Sequence, residues 1–566
     1  MTRLVLKRVE GEHVVLVLIA VAAAVLALLP LVRLAVTAFW PAGTFDLEPF
    51  LSEVGTRSAM RALGRSVETS LVGGVGALVI GTAVALAAAL TDMRAVRPVA
   101  FLFVLSALVA PQVTALAFLT LTGPASPILN AFGLAPPPGS ANPLMGAAGI
   151  IALLSLHHAP LVFVTVRAGL RNIPRDVIEA ARVSGDPPMR VLRLVVLPLL
   201  TPYLVAAAAL AVVAGVGNFG IPALLGMPVN YYTLPTLIYL ELSSSGPSVL
   251  VEVAALSMLV AMFTLVGLAM SFASGRKRQA RLAALAPGER VFRLGRWRLP
   301  VELGMWALVT VVLALPLMSL LAAALVPTYG VALSPSTITF DNFIEVVFRQ
   351  QVTARALRNS AIFAATAAFV LAVSSVPCAH ALDRRGGPLG RFVESAFELP
   401  FALPGVVLAI AMILLFLKPL PILGFSLYAT PAIIIVAYLS RFATMALKAP
   451  VAAIRQMPKD LEEAARSCGA GYARRLLTVV TPIAAPAAAA GGLLVFLTAF
   501  NELTVSALLW SAGTETFGVV LFNLEEGGYA TLAAAVAVVA IAVITTVMLA
   551  LDAFGRHLPR GVVPWR

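Results

Sequence analysis

Glu179-Ala180-Ala181 followed by Gly185, and Glu463-Ala464-Ala465 followed by Gly469, repeat one arrangement of residue types 284 positions apart (463 − 179) in a chain of 566 residues. The chemistry open to these residues is contact rather than catalysis. A carboxylate offers charge to a partner, paired alanines let that partner approach closely, and the glycine can take the left-handed conformation that ends a short helix. Pro174 and Pro458 suit the first helical turn ahead of each carboxylate, where a missing N–H costs nothing. Asp176 and Asp460 complement the positive end of the helix dipole. The identity runs on: Arg171, Arg182, Arg190, Leu192, Val195, Val196, Pro198 and Pro202 all recur at the same separation. The chain therefore reads as two homologous halves.

The elements that position these loops are dictated by composition. Sixty per cent of the residues are apolar and 12% charged, about half the charge that a soluble domain carries. The natural solvent of the chain is lipid. Apolar runs of about 20 residues, the length that spans a bilayer as a helix, fall near 14–38, 66–90, 98–122, 145–169, 194–216 and 250–272. A second set repeats the layout near 302–326, 359–382, 395–417, 425–447, 478–500 and 529–552. The predicted fold is all-α and integral to the membrane, with about 12 transmembrane helices: a first half over 1–272, a basic linker over 273–300 and a second half over 301–566. The first run lacks a small-residue cleavage site and reads as an uncleaved span.

Charge sets the orientation. With the N-terminus inside, most of the 40 Lys and Arg fall in inner segments, as the positive-inside rule requires, so both termini are expected in the cytoplasm. The net charge of +13 is then topology rather than a nucleic-acid site, and the linker with Arg290, Arg293, Arg296 and Arg298 reads as a solvated basic tether near anionic headgroups. The duplicated loops, 171–202 and 455–486, lie between the fourth and fifth runs of each half, on the inside.

The pattern E-A-A, three residues, G, nine residues, then two aliphatics flanking one position and P, resembles the EAA loop of permease subunits in ATP-binding-cassette importers. Val195, Leu197 and Pro198 complete it in the first copy; Thr481 departs from it in the second. The resemblance covers essentially the whole chain and implies the type I importer transmembrane fold, in the fused branch that includes ferric iron and thiamine permeases. It also implies that Pro174, Asp176, Glu179, Ala180, Ala181 and Gly185, with Pro458, Asp460, Glu463, Ala464, Ala465 and Gly469, contact a cytoplasmic ATPase dimer. An extracytoplasmic substrate-binding protein and a bacterial inner membrane location follow from the same likeness. No G-x-x-x-x-G-K-[ST] loop is present, so ATP with magnesium belongs to the partner ATPase and this chain is a transport permease that binds no cofactor of its own.

The segment Gly217-Asn218-Phe219-Gly220-Ile221-Pro222, followed by Tyr231, Tyr232 and Pro235, is similar to the stretch after the fifth span in iron(III) permeases. That favours ferric iron and leaves thiamine, polyamine and phosphonate open. Asn218, Gly220 and Pro222, with Asn501 and Glu502 at the matching place in the second half, are candidates for the gate or path; capping of a turn is the alternative for Asn501 and Glu502. No His, Cys, Asp and Glu cluster at ligand spacing is evident, so no resident metal is expected. His157 and His158 face Arg441 and Phe442 in the repeat and read as a hydrogen-bonded interior pair. Pro30, Pro316, Pro400 and Pro404 read as helix kinks. A rival class, the major-facilitator transporter, finds support in Asp383-Arg384-Arg385-Gly386, which resembles that superfamily's D-R-x-G turn.

Overall fold

In lipid an apolar run is stable as an α-helix because the helix satisfies every backbone N–H and C=O within the segment. The computed structural model of the protein describes residues 2–41, 43–173, 175–244, 246, 248–276, 292–385, 387–419 and 424–554. Among them, eleven helices are long and apolar enough to cross a membrane: His13–Phe39, Arg57–Leu90, Pro111–Ala131, Ala147–Arg171, Pro188–Val216, Val249–Ala269, Gly295–Ala324, Gln351–Arg384, Pro431–Gln456, Tyr472–Phe500 and Ala530–Ala550. The pair Pro388–Ala402 and Gly405–Phe416, bent by 108°, makes a twelfth when counted as one span. Numbered in chain order, the bent pair is span 9. Side chains such as Val75, Val79, Val373 and Leu549 are exposed, which water would penalise and acyl chains welcome.

Two helices run past the apolar stretch that announced them. Span 2 begins at Arg57 rather than near 66, because Thr56 caps it by accepting from the Ala59 N–H at 3.2 Å, and span 8 begins at Gln351 rather than near 359. Hydropathy marks the lipid-facing part of a helix, not its capped end. The run at 98–122 is not one helix: Val96–Ser106 stops ahead of Pro111, where span 3 starts. Pro404 stands at the equivalent break in span 9, so it marks a sharp turn rather than the expected kink. At Pro30 and Pro316 the device is different. Each follows a five-residue π turn, Ala24–Leu28 and Thr310–Ala314. Pro198 and Pro482 follow Leu192–Val196 and Leu476–Val480 in the same way. A widened turn accommodates the missing N–H and the bulk of the ring.

Each half lends its first span to the other. Span 1 packs on spans 8 and 9, while span 7 packs on span 3 and on Val96–Ser106. Spans 2 and 4 share the most extensive contact between spans among the described residues, and Gly81 permits it. A Cβ there would overlap the Ala159 carbonyl oxygen and stand 2.7 Å from Val162 Cβ. Gly81→Leu is expected to force the two spans apart at a cost of about 1–3 kcal/mol, read as a lower melting temperature of the detergent-solubilised chain; an unchanged melting temperature would show that this contact yields freely.

The register of spans 2 and 8 is visible in two serines. Ser66 Oγ accepts from the Leu234 N–H at 2.7 Å and Ser360 Oγ from the Phe517 N–H at 2.8 Å, so equivalent residues of these spans differ by 294 (360 − 66). The linker also departs from expectation at its end. Phe292 N–H bonds to Leu90 O at 2.9 Å, Leu294 N–H to Asp92 Oδ1 at 2.9 Å, and Arg298 meets Glu302 at 3.2 Å. Those carboxylates hold Arg298 half-buried, whereas Arg293 and Arg296 are exposed as expected; Arg290 lies outside the described residues.

Candidate functional site

Arg175–Val183 and Lys459–Ser467 form the two short helices of the duplicated loops. Both end in the same motif, and hydrogen bonding explains why each needs its glycine. Gly185 has φ +86° and Gly469 φ +85°. Gly185 N–H bonds to Arg182 O at 3.0 Å and Asp186 N–H to Ala181 O at 3.4 Å; Gly469 N–H bonds to Arg466 O at 2.9 Å and Ala470 N–H to Ala465 O at 3.0 Å. This is the Schellman closure, in which a left-handed residue lets two N–H groups satisfy the last carbonyls. No atom crowds either glycine, so the demand is conformational.

The carboxylates proposed from sequence point to solvent. Glu179, Ala180, Glu463 and Ala464 are exposed, and Ala181 and Ala465 half-buried. Asp460 stands in the first turn of its helix. Pro458 sits at the N-cap, one position before the first helical residue, rather than inside the first turn. Pro174 and the side chain of Asp176 lie outside the described residues. Each loop helix thus presents an acidic residue backed by small ones on an open face.

The residue that sequence reasoning passed over is Glu462, next to Glu463 but turned inward. It is 3% exposed. Its Oε1 accepts from Arg384 Nε at 3.0 Å and Nη2 at 2.7 Å, and Oε2 lies 3.1 Å from His380 Nε2. Burial alone would raise this carboxyl, but the hydrogen bonds and charges of His380 and Arg384 outweigh it and hold it down at about 2. The signal was available in the repeat, since 462 − 284 gives Ile178, an apolar position. Arg384 belongs to the stretch that resembled a major-facilitator turn, and its commitment to Glu462 gives it a different task.

A second cluster gathers the other candidates at the interface of the halves. Asn218, Gly220, Pro222, Asn501 and Glu502 are all buried. Asn218 Oδ1 accepts from the Ile221 N–H at 3.1 Å and caps Gly220–Gly226; Glu502 accepts from the Val505 N–H at 2.9 Å and the Ser506 N–H at 3.2 Å. The turn-capping reading of Glu502 therefore holds. These caps meet the two broken spans. Gln112, just after the break before span 3, donates from Nε2 to Asn501 O at 3.0 Å, and a Cβ on Gly217 would touch Pro404 at 3.3 Å. Both contacts cross between the halves. Gly220 lies against the Gln112 N–H, where a Cβ would approach to 2.9 Å. Phe219 adds an aromatic cluster with Tyr239 and Phe522, its ring centroid 5.3 and 5.8 Å from theirs. Such an arrangement holds short, capped, non-spanning helices against one another where the two halves meet.

Gln112 and Gly405 were not anticipated. Ala110-Pro111-Gln112 and Leu403-Pro404-Gly405 correspond at a separation of 293 rather than 284, which hides the repeat. The histidines also differ from expectation. His157 and His158 pack edge to face at 5.2 Å, but His157 Nδ1 and His158 Nε2 lack hydrogen-bond partners among the described residues. His157 lines a small cavity with Ser106, Val109 and Thr114 near the break before span 3 and with Pro316 of span 7. Glu68 meets Tyr231 Oη at 3.4 Å and Glu398 is half-buried.

The profile of a family described as binding-protein-dependent transport system inner membrane component matches residues 78–276 and again 375–563. A ferric transport system permease protein, FbpB, of Actinobacillus pleuropneumoniae is 24% identical over 538 residues, covering 92% of this chain and 75% of that protein. A probable ABC transporter permease, y4fN, of Sinorhizobium fredii is 24% identical over 416 residues, with 71% and 70% covered. A putative 2-aminoethylphosphonate transport system permease, PhnU, of Salmonella typhi is 27% identical over 229 residues, covering 38% of this chain and 78% of its own length.

Proposed function

The chain belongs to the family of binding-protein-dependent transport system inner membrane components, permeases of ATP-binding-cassette importers, and from that premise we propose that it is a complete two-half passage for ferric iron, driven through its two loop helices. The observation that carries the reading is the pair of loop helices, Arg175–Val183 and Lys459–Ser467, each with an exposed glutamate and ended by the same glycine closure. Equivalent loops at equivalent places suit two copies of one partner, an ATPase dimer in the cytoplasm. The distribution of Lys and Arg supports that placement of the loops and of both termini. On ATP binding the ATPases close, the loop helices carry the motion to the spans behind them, and the halves rock. The seam at Asn218, Gly220, Asn501 and Glu502 is the gate that this motion opens toward a docked binding protein. Hydrolysis resets it.

The likeness of a ferric permease along both halves, 92% of this chain, supports ferric iron; the phosphonate permease is a shorter protein that aligns along 78% of its own length, so phosphonate stays open as the alternative cargo. The cargo is then presented by the binding protein, and the permease supplies passage rather than ligands. Uptake of labelled ferric iron, measured in cells with and without the chain and again after ATP depletion, is expected to depend on both. A signal unaffected by removal of the chain, with the ATPase and binding protein present, would discard iron and direct the same assay to thiamine, polyamines and phosphonates.

A further inference from the structure

The two loop helices show the same face to solvent, yet they are fastened to the spans behind them by different chemistry. Behind the second lies a polar joint: Glu462, bonded to Arg384 at 2.7 and 3.0 Å and to His380 at 3.1 Å, the latter 1% exposed. Arg384 also meets Asp383 at 3.4 Å, and the His380 ring packs 5.8 Å from that of Tyr472, just beyond the loop helix.

The first half holds apolar residues at every equivalent position. In the loop, 462 − 284 gives Ile178; in the spans, where Ser66 and Ser360 set the separation at 294, 380 − 294 gives Leu86 and 384 − 294 gives Leu90. Ile178 and Leu90 are buried and Leu86 packs against them in one cluster that also holds Val191. The second half buries Arg475 where the first buries Val191. Among the described residues, the polar contacts nearby in the first half are Asn172 Nδ2 to Tyr203 Oη at 2.9 Å, which ties span 4 to span 5, and Asp186 to Arg190 at 3.4 Å beyond the loop helix, and neither joins the loop helix to span 2.

These joints resist motion differently. Charge-assisted hydrogen bonds, two from Arg384 to one carboxylate oxygen with His380 on the other, are directional and fix the partners, and parting them would leave charges buried and unpaired. Apolar contact has no preferred direction and tolerates sliding so long as the area stays covered. Resting on the importer reading above, we propose that the two ATPase docking points are mechanically unequal: the second loop helix moves as one body with span 8, whereas the first re-seats on span 2 during the stroke. Glu462, His380 and Arg384 are the positioning residues of the rigid joint.

The test uses the full chain with its ATPase in lipid vesicles, and needs no knowledge of the cargo. In a background with Cys378 replaced, spin labels are placed at Arg385 and Cys468 for the second joint, and, with Cys468 also replaced, at Thr91 and Ser184 for the first. Distances are compared between the nucleotide-free state and the state trapped with ATP and vanadate. The second pair is expected to hold its distance while the first shifts by more than about 2 Å, the scale of helix shifts in such transitions. Equal shifts in both pairs, or none in either, would overturn the proposal. Installing the apolar joint in the second half, His380→Leu with Arg384→Leu and Glu462→Ile, is expected to make the second pair shift as well; a fixed distance in that variant would also overturn it. Failure of the ATPase to assemble with the unaltered chain would instead contradict the importer reading, so the two failures are distinguishable.

Discussion

Reversing charge on both loop helices, Glu179→Lys with Glu463→Lys, is expected to abolish uptake and strip the ATPase from the purified chain, while the chain still inserts into the membrane. Both carboxylates are exposed and enter no ion pair among the described residues, so their loss removes nothing that holds the fold. A partner shaped for them is affected twice over. Like charges brought together in an interface cost several kcal/mol, and each 1.4 kcal/mol is a factor of ten in affinity. Two such sites in one complex take the recovery of ATPase down by at least about 100-fold. The single exchanges are expected to fall between. Normal recovery of ATPase with the double variant, measured by co-purification, would contradict the assignment of these loops.

Glu502→Ala is expected to produce the second large effect, this time on the gate and on stability together. The carboxylate is buried and satisfies two buried N–H groups, those of Val505 and Ser506, while Arg441 in span 10 lies within Coulombic reach. Removing it leaves the donors without an acceptor, at about 1–3 kcal/mol for each. The helix Ser506–Leu509 then loses its cap, and the seam against Gln112 and Asn501 loosens. The expected readouts are a lower melting temperature and leakage of cargo through the chain without ATP. Glu502→Gln keeps an oxygen for the N–H groups and is expected to recover most of the stability. An unchanged melting temperature in Glu502→Ala would place the closure elsewhere.

Much of this architecture was legible because membrane folding is governed by few rules. Twenty apolar residues have little choice but to span, which is why the twelve runs were found. The left-handed Gly185 and Gly469 were legible too, since an acidic helix start followed by a lone glycine prescribes its own ending. What escaped notice depended on packing across the halves. The breaks before Pro111 and Pro404 lie inside continuous apolar runs, where a proline reads equally as a kink, and Gln112 gains meaning only when it reaches Asn501, 389 residues away. Glu462 was hidden by its neighbour: of two adjacent glutamates, helical geometry turns one to solvent and one to the spans. Only the apolar Ile178 in the repeat tells which.

The central claim is that one copy of this chain is a whole passage with two docking points for one kind of ATPase. The mass of the intact complex, purified from cells that make the chain with its ATPase, tests it most directly. A ratio of one permease chain to two ATPase subunits is predicted. Two permease chains to two ATPase subunits, or a single ATPase per chain, would contradict it.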